Sequence, residues 1–183
     1  MSDKKQKSKG AAVSKKASAA TEEGVPAVEP LPLFYVKPEP LNSEKHSELS
    51  IKEGGDYSFS KATNSVPLNA DEFGLAVRHY PIVFTSVEPA VPVVILGLRS
   101  GQNMFLGANG DWESNIYVPA YIRRYPFIFM SSADGLQFTL CVDAGSALLM
   151  NGGKNSLFQN GESTDITNRA LEFCQAFQAQ HEY

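Results

Sequence analysis

Apolar and polar positions alternate along this chain with two periods, and one stretch that switches from the helical period to the strand period occurs twice. Arg78-His79-Tyr80-Pro81-Ile82-Val83-Phe84 returns 45 positions later as Arg123-Arg124-Tyr125-Pro126-Phe127-Ile128-Phe129. In each copy the proline disfavours helix in the tyrosine before it, and the apolar residues after it suit a buried strand. Both copies therefore predict a helix end, a stop and a strand.

The first helix carries further signals. Asn69 with Glu72 three residues on has the form of a capping box, and Leu68 is placed to staple onto Phe73. Phe73, Ala76, Val77 and Tyr80 follow at i, i+3, i+4 and i+7, a buried stripe. Strands are expected at 82–85, 93–98 and 103–106, with a turn at Asn109-Gly110. A short helix follows over 120–124, with Pro119 at its first position and Pro126 ending it.

The offset of 45 also pairs Val91 with Leu136, Val93 with Phe138 and Ile95 with Leu140, keeping the apolar alternation in phase. Beyond these, Asn103-Met104-Phe105 with Asn109-Gly110-Asp111 is echoed by Asn155-Ser156-Leu157-Phe158 with Asn160-Gly161-Glu162. The pattern predicts one α+β domain with a mainly antiparallel sheet, in which a helix-plus-three-strand pseudo-repeat relates roughly 69–111 to 114–162. A last helix, capped by Ser163 or Thr164, puts Ile166, Ala170, Phe173 and Phe177 on one face, widened by Leu171 and Cys174. Toward the start, 33–36 is a strand candidate closed by Pro38 and Pro40, and Asn42 or Ser43 is placed to cap a turn before Leu49.

Composition changes the picture at the chain's start. Residues 1–30 hold six lysines and no aromatic residue and end in a Pro/Glu/Val mixture, so a disordered tail and linker is expected there. The folded domain is then expected from residue 31 to 183. Because the tail is basic, that domain is more acidic than the net charge of −4 for the whole chain suggests. An acidic domain argues against a nucleic-acid groove, which needs clustered Lys and Arg. No run of about eighteen apolar residues is present, nor any signal-peptide core, so the expectation is a cytoplasmic protein with no transmembrane segment. Export to the cell surface without a cleavable signal peptide is the alternative. Cys141 and Cys174 each stand in an apolar pattern and are expected as buried, reduced thiols.

Candidate chemistry is sparse. There is no nucleophile elbow, paired zinc ligand or dinucleotide fingerprint, and no cofactor is expected. Gly152-Gly153-Lys154-Asn155-Ser156 lacks the leading glycine of a phosphate loop and a helix directly after it. Asp111 and Asp143 are of the kind that serve turns. His46 is the titratable group of most interest: it could work with a carboxylate as acid or base, or simply bond to nearby backbone. Arg78, Tyr80, Arg123 and Tyr125 recur at matching points of the two units. They could line one shared cleft, since Arg forks onto carboxylate or phosphate and Tyr adds an apolar body with a polar tip. In the blander alternative the tyrosines pack in the core and the arginines sit at helix ends.

Four segments give the chain a resemblance to a known family. They are Pro40-Leu41-Asn42 with His46; Val66-Pro67-Leu68 through Glu72-Phe73 to Tyr80-Pro81-Ile82-Val83-Phe84; the strands from Leu96-Gly97-Leu98 to Asn103-Met104-Phe105; and Trp112 followed by Tyr117-Val118-Pro119-Ala120-Tyr121-Ile122-Arg123-Arg124-Tyr125-Pro126-Phe127. Across residues 40 to 163 the sequence resembles the SapC family of bacterial proteins. The resemblance implies a link to the surface layer or to nutrient uptake, and it brings no catalytic residues. It also implies further helical sequence past Tyr183, so the chain is expected to be a short or truncated member. The function expected is a non-enzymatic accessory or small-molecule-binding protein, acting on an unknown small molecule or protein partner. The alternatives are an enzyme using His46 with a carboxylate, and an exported surface-layer component.

Overall fold

The computed structural model describes residues 31–131 and 137–181, within the compact unit Leu31–Tyr183. The expectations for residues 1–30, for Leu136 as a repeat partner and for the chain's last two residues lie outside the described residues. Helices and strands are mixed, and every strand pairing among the described residues is antiparallel, so the class is α+β. The strands form four small sheets where one larger sheet was expected.

Two of these sheets have three strands. In the first, β5 (Pro92–Ile95) lies between β3 (Ser65–Pro67) and β4 (Ile82–Phe84). In the second, β7 (Phe138–Asp143) lies between β1 (Pro38–Pro40) and β6 (Phe127–Ser131). Each Tyr-Pro stop thus opens an outer strand, β4 or β6, which folds back onto a central one. The third strand is where expectation and structure part. It comes from before the helix, as β3 or β1, because 103–106 forms no strand: it makes scattered backbone bonds, among them Met104 N–H to the Leu96 carbonyl, and the isolated bridge Leu106↔Trp112 around the Asn109-Gly110 turn. The second Asn-Gly turn closes the short pair β9 (Phe158–Gln159) and β10 (Glu162–Ser163). The remaining pair joins β2 (Leu49–Ile51) to β8 (Leu149–Asn151).

The two copies of the heptad differ in burial. Phe127 and Ile128 are buried in β6, against which α3 (Asp165–His181) lies, whereas Val83 and Phe84 in β4 are exposed. No helix covers β4 in the same way among the described residues, so like sequences sit in unlike surroundings.

The first helix is shorter than predicted. A 3-10 turn at Ala70–Glu72 runs into the single turn α1 (Phe73–Ala76), and the chain continues in turns to Tyr80. Ala76 and Tyr80 are buried as expected, but Val77, the third position of the stripe and the C-cap of this single turn, is 64% exposed. α2 (Ala120–Arg123) has Pro119 at its cap, one position earlier than predicted.

The strand expected at 33–36 is a turn, with Phe34 at φ +82° and the Tyr35 N–H donating to the Pro32 carbonyl at 3.1 Å. The strand forms instead on the prolines themselves. The ladder to β7 runs through the Lys37 carbonyl, which accepts from Ala144 N–H, and the Leu41 N–H, which donates to the Leu140 carbonyl. Alternation then leaves Pro38 and Pro40 where no donor is required, as an edge strand allows.

The core has three parts. One gathers Val66, Leu68, Ala76, Tyr80, Val94, Leu96, Trp112, Ile122 and Phe177. A second packs Phe127, Val142, Leu157, Phe158 and Cys174 around β6, β7 and α3. A third joins Tyr35, Tyr125, Ile128 and Cys141. On α3, Cys174 and Phe177 are buried and Ile166, Ala170, Leu171 and Phe173 half-buried, which is the predicted face; Thr167, buried as well, extends it.

Candidate functional site

The capping box does more than start a helix. The Glu72 carboxylate is buried, and its Oε2 accepts the Asn69 N–H at 2.9 Å, closing the box. Its Oε1 accepts from the Tyr117 hydroxyl at 2.8 Å and from the Ala120 N–H at 2.7 Å. One carboxylate therefore ties the entry of the first helix to the first residue of α2. Burial, and then the hydrogen bond to Glu72, push the Tyr117 hydroxyl up to about 12.

Arg123, the last residue of α2, is fixed by the same network. Its Nε donates to the Val118 carbonyl at 2.9 Å and its Nη2 to the Tyr117 hydroxyl at 3.0 Å. The guanidinium lies over the rings of Tyr117, at 5.4 Å, and Phe173, at 5.1 Å. Two clefts meet at this side chain. One, of about 350 Å³, is bordered by Glu72, Leu75, Tyr117, Phe173, Phe177 and Gln180. The other, of about 340 Å³, is bordered by Tyr57, Phe59, Arg124, Tyr125, Arg169 and Phe173 among others.

Arg124 follows directly and turns inward. Its guanidinium lies over the rings of Tyr121 at 4.2 Å, Phe177 at 4.4 Å and Tyr35 at 5.7 Å, and its buried Nε has no hydrogen-bond partner. The structure thus places two consecutive arginines at the end of α2, both lying over aromatic faces, and among the described residues neither pairs with a carboxylate.

The sequence-predicted residues are partly brought together. Arg123 and Tyr125 border the same cleft. The Tyr125 hydroxyl donates to Asp143 Oδ2 at 3.0 Å, its ring packs 4.3 Å from Phe59, and burial above all pushes it up to about 12. Tyr80 is elsewhere, in the first part of the core: its hydroxyl donates to the Tyr117 carbonyl and accepts from Trp112 Nε1 at 3.1 Å. Arg78 is exposed and borders neither cleft.

His46 is buried at 6% exposure, and its Nδ1 accepts the Asn42 N–H at 3.1 Å. Nε2 stands 3.9 Å from Glu39 Oε2 and has no hydrogen-bond partner. Glu39 is engaged by Lys37, at 2.8 Å, and by Lys45, which hold its carboxyl down at about 2. Burial chiefly, and then the Lys45 charge, lower the His46 pKa. The histidine braces the Asn42 turn, whose Oδ1 also caps Glu44 and Lys45.

Asp143 is likewise structural. It is fully buried and accepts from Val36, Lys37 and Gly145 N–H groups and from Tyr125. The Gly153-Lys154 turn borders an open groove of about 760 Å³ at the start of α3, where Ile166 is the only apolar side chain and charges of both signs line the walls. Among the described residues no group of three or more His, Cys, Asp and Glu is placed to hold a metal, and no helix is long and apolar enough to cross a membrane.

Comparison with known sequences bears on the whole of this region. A sequence model described as SapC matches residues 41–183. The chain belongs to the SapC family. No curated protein and no solved structure matches it. The span that carries SapC membership contains every residue bordering the two clefts. Sequence reasoning missed Tyr117, Arg169 and Phe173 there. Arg169 and Phe173 stand at i and i+4 on the predicted last helix, so the spacing did set them on one face, but nothing in it located the cleft across from them.

Proposed function

We propose that this SapC-family domain is a non-enzymatic accessory module that binds a small molecule in the cleft bordered by Arg123, Arg124, Tyr125 and Arg169. The observation that carries the proposal is the cleft itself: cationic forks held in place beside an apolar wall of Tyr57, Phe59 and Phe173. Few fixed polar groups on a mostly apolar concave surface are what orient a small ligand. His46 supports a binding role over catalysis, since it is buried and committed to backbone. A place beside nutrient uptake or the surface layer, which comes from the family link, belongs to the same proposal, as does a cytoplasmic location, which comes from the lack of a signal-peptide core in the sequence. Fractionation that found the chain at the cell surface would move it to an exported role.

A thermal-shift screen of the full chain against sugars, amino acids and nucleotides tests the binding role. A ligand that binds the folded state alone raises the melting temperature by mass action, by about 2.7 kcal/mol of stability at a hundred times its Kd. The expected result is at least one such compound whose effect is lost in Arg123→Ala. A screen with no response would overturn the small-molecule role and leave a protein partner as the object of binding.

A further inference from the structure

The charge around the Tyr125 cleft narrows what it can take, and this step rests on the binding role proposed above. Arg123, Arg124 and Arg169 border the cleft against one acid, Asp56. That carboxylate is in use, its Oδ1 accepting the Ser58 N–H at 2.8 Å. Among the described residues, the four ion pairs all use lysine or histidine, and none of these arginines takes part in one.

Their remaining donors are free to meet a ligand. Arg123 and Arg169 commit Nε to the carbonyls of Val118 and Asp165, and Arg123 commits one further N–H to Tyr117, which leaves terminal N–H groups on both. Among the described residues the Arg124 guanidinium has aromatic partners and no ion pair; its Nε is buried, which leaves the terminal N–H groups for a ligand. Three like charges bordering one open, partly apolar cleft repel one another, and an anion bound there relieves that repulsion. A guanidinium offers parallel N–H groups that match the two oxygens of a carboxylate.

The rest of the wall selects the body of that anion. Ile51, Tyr57, Phe59, Leu148 and Phe173 are apolar or aromatic, which favours a flat apolar group over a heavily hydrated one. The volume, about 340 Å³, is near the floor of the roughly 300–1,000 Å³ typical of ligand sites. We propose that the cleft binds a small carboxylate with an apolar, preferably aromatic body, its carboxylate taken by the arginines and its body laid against Tyr57, Phe59 and Phe173.

Titration calorimetry of the full chain with benzoate, benzamide and inorganic phosphate tests this. Benzoate is expected to bind with an affinity that falls as salt is raised. Benzamide, of the same shape without the charge, is expected to bind at least about tenfold more weakly. Arg169→Gln and Arg124→Met, each checked for an unchanged fold by circular dichroism, should each weaken benzoate by about ten- to hundredfold. The inference is overturned if benzamide matches benzoate, if phosphate alone binds, if neither variant weakens benzoate, or if no benzoate binding is detected. A neutral compound from the wider screen that binds in an Arg123-dependent way would then preserve the binding role while the carboxylate preference falls. Silence from every compound would end both.

Discussion

Replacing Glu72 with glutamine keeps the side chain's size and removes only its charge and one acceptor oxygen. The carboxylate now accepts from Asn69 N–H, Tyr117 hydroxyl and Ala120 N–H at 2.7–2.9 Å. With its one oxygen left facing Tyr117 and Ala120, the new amide turns its own N–H groups toward the Asn69 N–H. A buried donor left without an acceptor costs about 1–3 kcal/mol. The two bonds that survive lose their charge assistance, which adds about 1 kcal/mol, so Glu72→Gln should destabilise by about 2–4 kcal/mol. For a domain of this size that lowers the melting temperature by about 4–16 °C. Glu72→Ala should cost more, since three donors are then orphaned. Tyr117→Phe, which removes the bond donated to Glu72 and the exposed one accepted from Arg123, should cost about 1–2 kcal/mol. Urea denaturation followed by circular dichroism measures all three. A Glu72→Gln protein within about 0.5 kcal/mol of the parent, inside the ordinary range of surface substitutions, would refute the claim that this carboxylate ties the two helix starts together.

A methyl group at Gly97 would stand 2.0 Å from the Gln102 carbonyl oxygen, which is backbone and cannot swing away; Gly97→Ala should cost about 3 kcal/mol, the upper end for overpacking, by the same denaturation assay. His46 has a lowered folded pKa, so the unfolded chain binds the extra proton first. Its contribution is then present above the ordinary histidine value of about 6.5 and is lost as pH falls below it toward the folded pKa. Stability measured from pH 7.5 down to 5.5 should decline, and His46→Gln should flatten that slope; an unchanged slope contradicts the assignment. Burial pushes the Cys174 thiol up to about 11 and also raises Cys141, so neither should react with a thiol reagent at neutral pH until the chain unfolds. Rapid labelling of the native protein would show that one of them is reachable.

The heptad Arg-x-Tyr-Pro and the strand after it were legible because proline fixes local geometry whatever the tertiary setting. The capping box at Asn69 and Glu72 was legible for the same reason, being held within four residues. The role of Glu72 in anchoring Ala120 was not, since that bond joins residues 48 positions apart and leaves no periodic trace. Residues 33–36 had strand composition yet form a turn, because Phe34 takes a left-handed conformation to pack its ring 5.1 Å from Phe59, and packing overrode propensity. At the candidate site, the arginine and tyrosine of the second heptad share a cleft while those of the first do not. The difference lies in α3, which packs on β6 and supplies Arg169 and Phe173; the local heptads give no sign of which copy a distant helix will cover.

The most direct test of the binding role is a two-dimensional amide NMR titration of the full chain with the strongest compound from the thermal-shift screen. Binding in the Arg123–Tyr125 cleft predicts shift changes clustered at 54–59, 123–127 and 169–174, the segments that border it. Changes confined to the Gly153–Asp165 groove, or spread around His46 and Glu39, would contradict it.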